Sequence, residues 1–408
     1  MIKNAARPRT KPSSTPPLPA AKPQSVGLSH DRLNVLSAAM KREADKGTIP
    51  GAVVMVARGG KIVHFDAVGT QDPVTRAPMQ RDTVFRIMSM TKPIVSIGLM
   101  QLVEDGFLAI NDPVSKFIPE FRDQRVGVER NGQLELAPLV REVTVQDLLR
   151  HTSGIVYETR GDSIVHRMYR DAGVRSRAIT NEKLAATIGK LPLCCQPGTE
   201  FNYGFSTDIV GRIIEVVSGK TLGSYLSEHI LGPLQMTETA FHAEHKDKGR
   251  LAQAFAADPW TGAQVTLYDM LEKPALESGG GGFVSTATDY SRFCQMLLNG
   301  GTLGKERIIG SETLRFMASD HLGPGVRIAT PVIPPGYSFG LGFAVRLQSG
   351  MAPAAGSVGQ FYWSGVFGTG FFIDPAKDLF AIMLTQAPGQ LQYMNPLFRG
   401  MVYAAIES

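Results

Sequence analysis

Residues 84–105 read VFRIMSMTKPIVSIGLMQLVED. A short apolar run, Val84 to Met88, leads into apolar positions at helical spacing: Ile94, Ile97, Leu99, Met100, Leu102 and Val103. Gly106 is a stop signal, and Pro93 falls in the first turn, where a missing N–H costs little. Ser89 therefore stands at the start of a helix, directly after a strand-like run. Lys92 follows one turn on, on the same face. No other Ser in the chain has a Lys three residues later, but composition alone yields about one such match, so the motif by itself is weak. A serine at its ordinary pKa is a poor nucleophile, and a neighbouring amine can accept its proton. A helix N-terminus adds positive potential and an amide N–H for a developing oxyanion. The alternative reading is a Ser N-cap with an exposed Lys.

Two further segments carry candidate chemistry. In Pro197-Gly198-Thr199-Glu200-Phe201-Asn202-Tyr203 a Pro-Gly turn leads to an aromatic segment and then a helix. Tyr203, just before that helix, could pass a proton to a leaving alcohol, or simply be a packed aromatic. Phe361-Tyr362-Trp363-Ser364-Gly365-Val366 reads as a strand. Its small residues would let a substrate lie near the backbone, where an edge amide can donate to an oxyanion; an ordinary strand with a Gly kink is the alternative.

Other chemistries lack their residues. There is no Gly-x-Ser-x-Gly elbow, no P-loop and no Rossmann glycine pattern. His242 and His245 have no third ligand nearby, so no metal is expected. Cys194, Cys195 and Cys294 form neither a disulfide framework nor a zinc spacing. The net charge of +5 is spread without a basic helix, which argues against a nucleic-acid partner. No apolar run is long enough to span a membrane.

Residues 1–27 are proline-rich and lack the apolar core of a secretory signal; they read as a disordered tail and imply a cytoplasmic protein. A helix over 31–45 and strands over 51–56 and 61–68, joined at Gly59-Gly60, open a mixed domain. The segment from about 112 to 276 reads as helical and loop-rich, with helices over 145–150, 206–218 and 221–231. Strands return at 339–347, 360–366, 369–373 and 379–384, and a helix over 390–406 closes the chain. An α/β domain built from 28–112 and 277–408, interrupted by a helical domain over 113–276, is therefore expected.

Taken in order, the three segments resemble the serine β-lactamase and penicillin-binding protein superfamily. So do Leu148 to Gly154, Leu234 to Thr239 and Ser278 to Asp289. The chain looks closest to class C β-lactamases and family VIII carboxylesterases. The resemblance implies an α+β, β-lactamase-like fold: an antiparallel sheet flanked by helices, with an inserted, mostly helical domain. It implies Ser89 as acylated nucleophile, Lys92 as its base and Tyr203 as partner in proton transfer. It implies an oxyanion hole from the N–H groups of Ser89 and Val366, substrate contacts from Trp363, Ser364 and Gly365, and no cofactor.

Two departures from the β-lactamase pattern bear on substrate. Tyr-x-Asn is here Tyr203-Gly204-Phe205, and Phe205 cannot donate an amide hydrogen bond. Lys-Thr-Gly is here Trp363-Ser364-Gly365, so the motif lacks its cation. Both changes replace polar recognition by apolar surface, with Phe205 and Trp363 facing substrate. The expected activity is hydrolysis of small, neutral carboxylic esters with short or medium acyl chains. A β-lactamase or D,D-peptidase, an acyltransferase and an amide hydrolase are the alternatives on the same serine. A binding protein on this fold would need a broken nucleophile or base, whereas Ser89, Lys92 and Tyr203 are all present. The oligomeric state does not follow from the sequence.

Overall fold

The computed structural model describes residues 18–407. Its centre is an eight-stranded sheet. The strands are β1 (Gly51–Arg58), β2 (Lys61–Asp72), β3 (Ala77–Pro78), β4 (Tyr337–Phe339), β5 (Ala344–Arg346), β6 (Phe361–Ser364), β7 (Gly370–Asp374) and β8 (Leu379–Leu384). They pair in the order β4-β5-β6-β7-β8-β1-β2-β3, antiparallel throughout. Gly59 and Gly60, at φ 60° and 68°, supply the left-handed pair that closes the β1–β2 hairpin.

Helices cover both faces. They include α1 (His30–Asp45), α2 (Thr91–Glu104), α3 (Ser206–Ser218), α4 (Ala287–Leu298) and α5 (Leu391–Tyr403). Successive residues of β7 point to opposite faces. Phe371 meets Tyr290 of α4, while Phe372 meets Phe398 and Tyr403 of α5. Covered on both sides, β8 is the unbroken apolar run LFAIML, every residue of it buried. Its β-branched and aromatic content suits a buried strand.

Four sequence expectations need correction. Residues 18–27 are ordered: Leu18 is buried, Ala20 bridges Ile62, and Pro23–Val26 forms a 3₁₀ turn. The rest of the expected tail, residues 1–17, lies outside the described residues. The stretch 339–347 is two strands, because Gly342 at φ 100° turns the chain and Gly340 N–H bonds Phe343 O. The middle segment holds a β-hairpin, Arg125–Arg130 with Gln133–Pro138, turned at Asn131-Gly132. The helix expected over 221–231 is Leu222–Leu226 continuing as a π-turn, Ser227–Leu231. Among the described residues no helix is long and apolar enough to cross a membrane, and no His/Cys/Asp/Glu group could hold a metal ion.

Candidate active site

Ser89 lies on a single 3₁₀ turn, Met88–Met90, that runs straight into α2. The turn is strained at its entry, since Met88 holds φ 48° without being glycine. The third segment and the turn that follows it staple it. Thr369 Oγ1 donates to Ile87 O at 3.1 Å. Gly365 passes so close that a Cβ there would collide with Ile87 O and Thr369 Oγ1. Gly365 is therefore small to admit the nucleophile's own backbone.

Lys92 is 1% exposed, and its three ammonium donors each have a target. Nζ stands 3.2 Å from Ser89 Oγ, 3.0 Å from Tyr157 Oη and 2.5 Å from Gly280 O. The Tyr203 ring lies beneath it, 4.7 Å from Nζ to the ring centre. Tyr203 Oη in turn accepts a hydrogen bond from Trp363 Nε1 at 3.1 Å. Ser89, Lys92, Tyr203 and Trp363, from three separate stretches of chain, thus form one cluster.

Burial works against the Lys92 ammonium. The Tyr157 and Tyr203 hydroxyl oxygens, as the negative ends of their O–H dipoles, and the Asp208 carboxylate outweigh it and hold the group above the usual lysine range. Burial pushes the Tyr157 phenol up, so the neutral phenol is its resting form. Asp208, on α3, accepts from Ser278 Oγ at 2.5 Å and Gly280 N at 3.0 Å, fixing the carbonyl that Lys92 meets. Burial also raises its carboxyl. His151 packs on Tyr203, and burial keeps its imidazole well below the usual range, neutral beside the amine.

A cleft opens over this cluster, lined by Ser89, Tyr203, Trp363, Ser364 and Val366, among others, and holding about 920 Å³ of space that includes its open mouth. Phe205 is not part of its lining. That residue is 5% exposed, with its ring against Tyr157 at 4.6 Å, because α3 begins at the next residue and turns it inward. The expectation that Phe205 faces substrate is corrected. Arg160 and Arg399 also line the cleft.

Sequence reasoning missed Tyr157, Asp208 and Gly280. Tyr157 follows the Leu148 to Gly154 stretch by three residues, but nothing periodic marks it. Asp208 comes five residues after Tyr203, in the first turn of α3, where an acidic residue reads as a helix-terminus charge.

The beta-lactamase family model matches residues 36–405. Protein Rv1367c of Mycobacterium tuberculosis is 32% identical over 359 residues, 86% of this chain and 88% of its own. Esterase EstB of Burkholderia gladioli is 29% identical over 377 residues, covering 87% and 91%. The structure of EstCE1, a hydrolase with promiscuous acyltransferase activity, superposes with a TM-score of 0.75 at 25% identity, covering 91% and 99%. Matched along nearly its whole described length, the chain belongs to the beta-lactamase family and is a β-lactamase-fold serine hydrolase with esterase relatives.

Proposed function

We propose that the protein hydrolyses carboxylic esters with short to medium acyl chains through an acyl-enzyme on Ser89. The observation that carries this reading is the pair itself: Ser89 Oγ sits 3.2 Å from a buried amine, on the floor of a cleft. Once Lys92 has given up its ammonium proton to solvent, its free amine takes the Oγ proton as Oγ bonds the ester carbon. The N–H groups of Ser89 and Val366 receive the oxyanion. Tyr203, held by the Trp363 indole, gives a proton to the departing alcohol and is resupplied from Lys92. Water then repeats the sequence on the acyl group and frees the acid. The aromatic wall of Tyr203, Trp363 and Tyr362 offers apolar contact along the cleft. EstB, named an esterase, and EstCE1, named a hydrolase, support ester chemistry.

Comparing p-nitrophenyl butyrate with nitrocefin tests the substrate class. The expected result is a kcat/KM at least about a hundredfold higher for the ester, abolished in Ser89→Ala. A far better rate with nitrocefin would overturn the ester assignment.

A further inference from the structure

Tyr157 has no place in the mechanism above, yet its hydroxyl is one of three groups within hydrogen-bond reach of the base. We propose that Tyr157 is the positioning partner of Lys92: its phenol accepts an N–H from the amine and so turns the nitrogen lone pair toward Ser89. The proposal rests on the acyl-enzyme reading.

Hydrogen-bond accounting leads to it. The neutral amine has two N–H groups and one lone pair. Gly280 O, at 2.5 Å, can only accept, so it takes one N–H. The other N–H and the lone pair are left for Ser89 Oγ at 3.2 Å and Tyr157 Oη at 3.0 Å. Either hydroxyl could donate to the lone pair, but only one arrangement is productive. With Tyr157 accepting, the lone pair faces the Ser89 O–H and can take its proton. With Ser89 accepting, its proton points away from the base.

The surroundings keep this geometry. The Tyr157 ring packs on Tyr203 at 5.6 Å and on Phe205 at 4.6 Å, so the ring is gripped on two sides. The buried Phe205, which has no cleft contact, thereby gains a purpose. A Cβ on Gly280 would collide with Asp208 Oδ2 and stand 2.9 Å from Tyr157 Oη. Glycine is therefore required where carbonyl, carboxylate and phenol converge. Tyr203 accepts from Trp363 and keeps its own O–H for the leaving group. The two phenols divide the work: Tyr157 orients the base, and Tyr203 serves the leaving group.

A pH signature follows. The ionisable groups facing Lys92 and Tyr157 are Tyr203, Asp208, His151 and Arg175, with Arg160 beyond Tyr203. Arg175 is paired with Glu158. His151 stays neutral, because burial and the Lys92 charge both hold its imidazole down. An acceptor stabilises the ammonium, so losing the Tyr157 hydroxyl lets Lys92 shed its proton at lower pH.

The test is Tyr157→Phe in the full chain, which keeps the packed ring and removes only the hydroxyl. Two pH profiles are read: kcat/KM for p-nitrophenyl butyrate, and the rate at which a fluorophosphonate labels Ser89. In the wild type both should rise above neutrality, as the amine is freed. In Tyr157→Phe the acidic limb of both should move down by roughly half a pH unit to one unit, with a plateau lower by about tenfold. Unshifted limbs, or limbs moved upward, would overturn the proposal while the acyl-enzyme reading stands. Absence of Ser89 labelling in the wild type would remove both.

Discussion

At the residue scale, the candidate nucleophile, base and phenol were legible only in combination, since a Ser at a helix start reads equally as an N-cap and a Tyr as a packed aromatic. Ser89 and Lys92 sit on one face at a spacing of three. Tyr203 sits at a turn-to-helix junction. What hid Tyr157 is that its importance is relational: a phenol on a loop gains meaning only when folding brings it to 3.0 Å from Lys92 Nζ. Phe205 shows the converse error. Its apolar character was read correctly, but the direction of its side chain was set by the start of α3. Trp363 was read as a lost cation, whereas its indole N–H has a positive use on Tyr203 Oη. Trp363→Phe keeps an aromatic wall and removes that donor. The hydrogen bond contributes about 1 kcal/mol, so kcat for p-nitrophenyl butyrate should fall by about fivefold to tenfold with little change in KM. An unchanged kcat per labelled serine would remove Trp363 from the reaction.

At the element scale, periodicity found α1, α2, α3 and the apolar strands β1, β2 and β8 close to their observed bounds. It failed where a tertiary neighbour decided the outcome. The pair β4 and β5 looked like one strand until Gly340 and Gly342 are seen to turn the chain against α2, with Gly342 abutting Ser96. The hairpin at Asn131-Gly132 was missed although Asn-Gly is a strong turn signal. Its strands are mostly exposed and polar, so they carry little alternation.

Helix α4 offers a test of its own. Asp289 lies in its first turn, 4% exposed, and accepts from Glu238 N at 2.7 Å and Thr239 Oγ1 at 3.0 Å. Burial raises its carboxyl to about 7, against an unfolded value of 3.8. Between those values the folded state binds more protons than the unfolded, so this group's stabilisation is present at low pH and is lost as pH rises through the window. Asp289→Asn keeps an acceptor oxygen and removes the charge. Relative to wild type, its Tm should compare more favourably near about pH 8 than near about pH 5. Equal differences at the two pH values would contradict the shift.

At the scale of the whole molecule, both ends of the chain build one sheet. Val53 of β1 pairs with Leu384 of β8, and Leu28 bridges Ile406. The sequence pattern made this legible, since strands flanked a helix-rich middle. The sheet then brings β6 and its following turn against the turn that carries Ser89, although the two are far apart in the chain. That long-range closure is why no single motif could mark the candidate site, and why three weak signals taken in order pointed to it. It also makes Ser89, among the described residues, the serine with a buried amine, a cleft and a stapled backbone around it. Intact-mass and peptide mass spectrometry after a fluorophosphonate probe tests this directly. A single adduct on the peptide bearing Ser89, lost in Ser89→Ala, is the predicted result. No adduct, or an adduct that persists in Ser89→Ala, would contradict it.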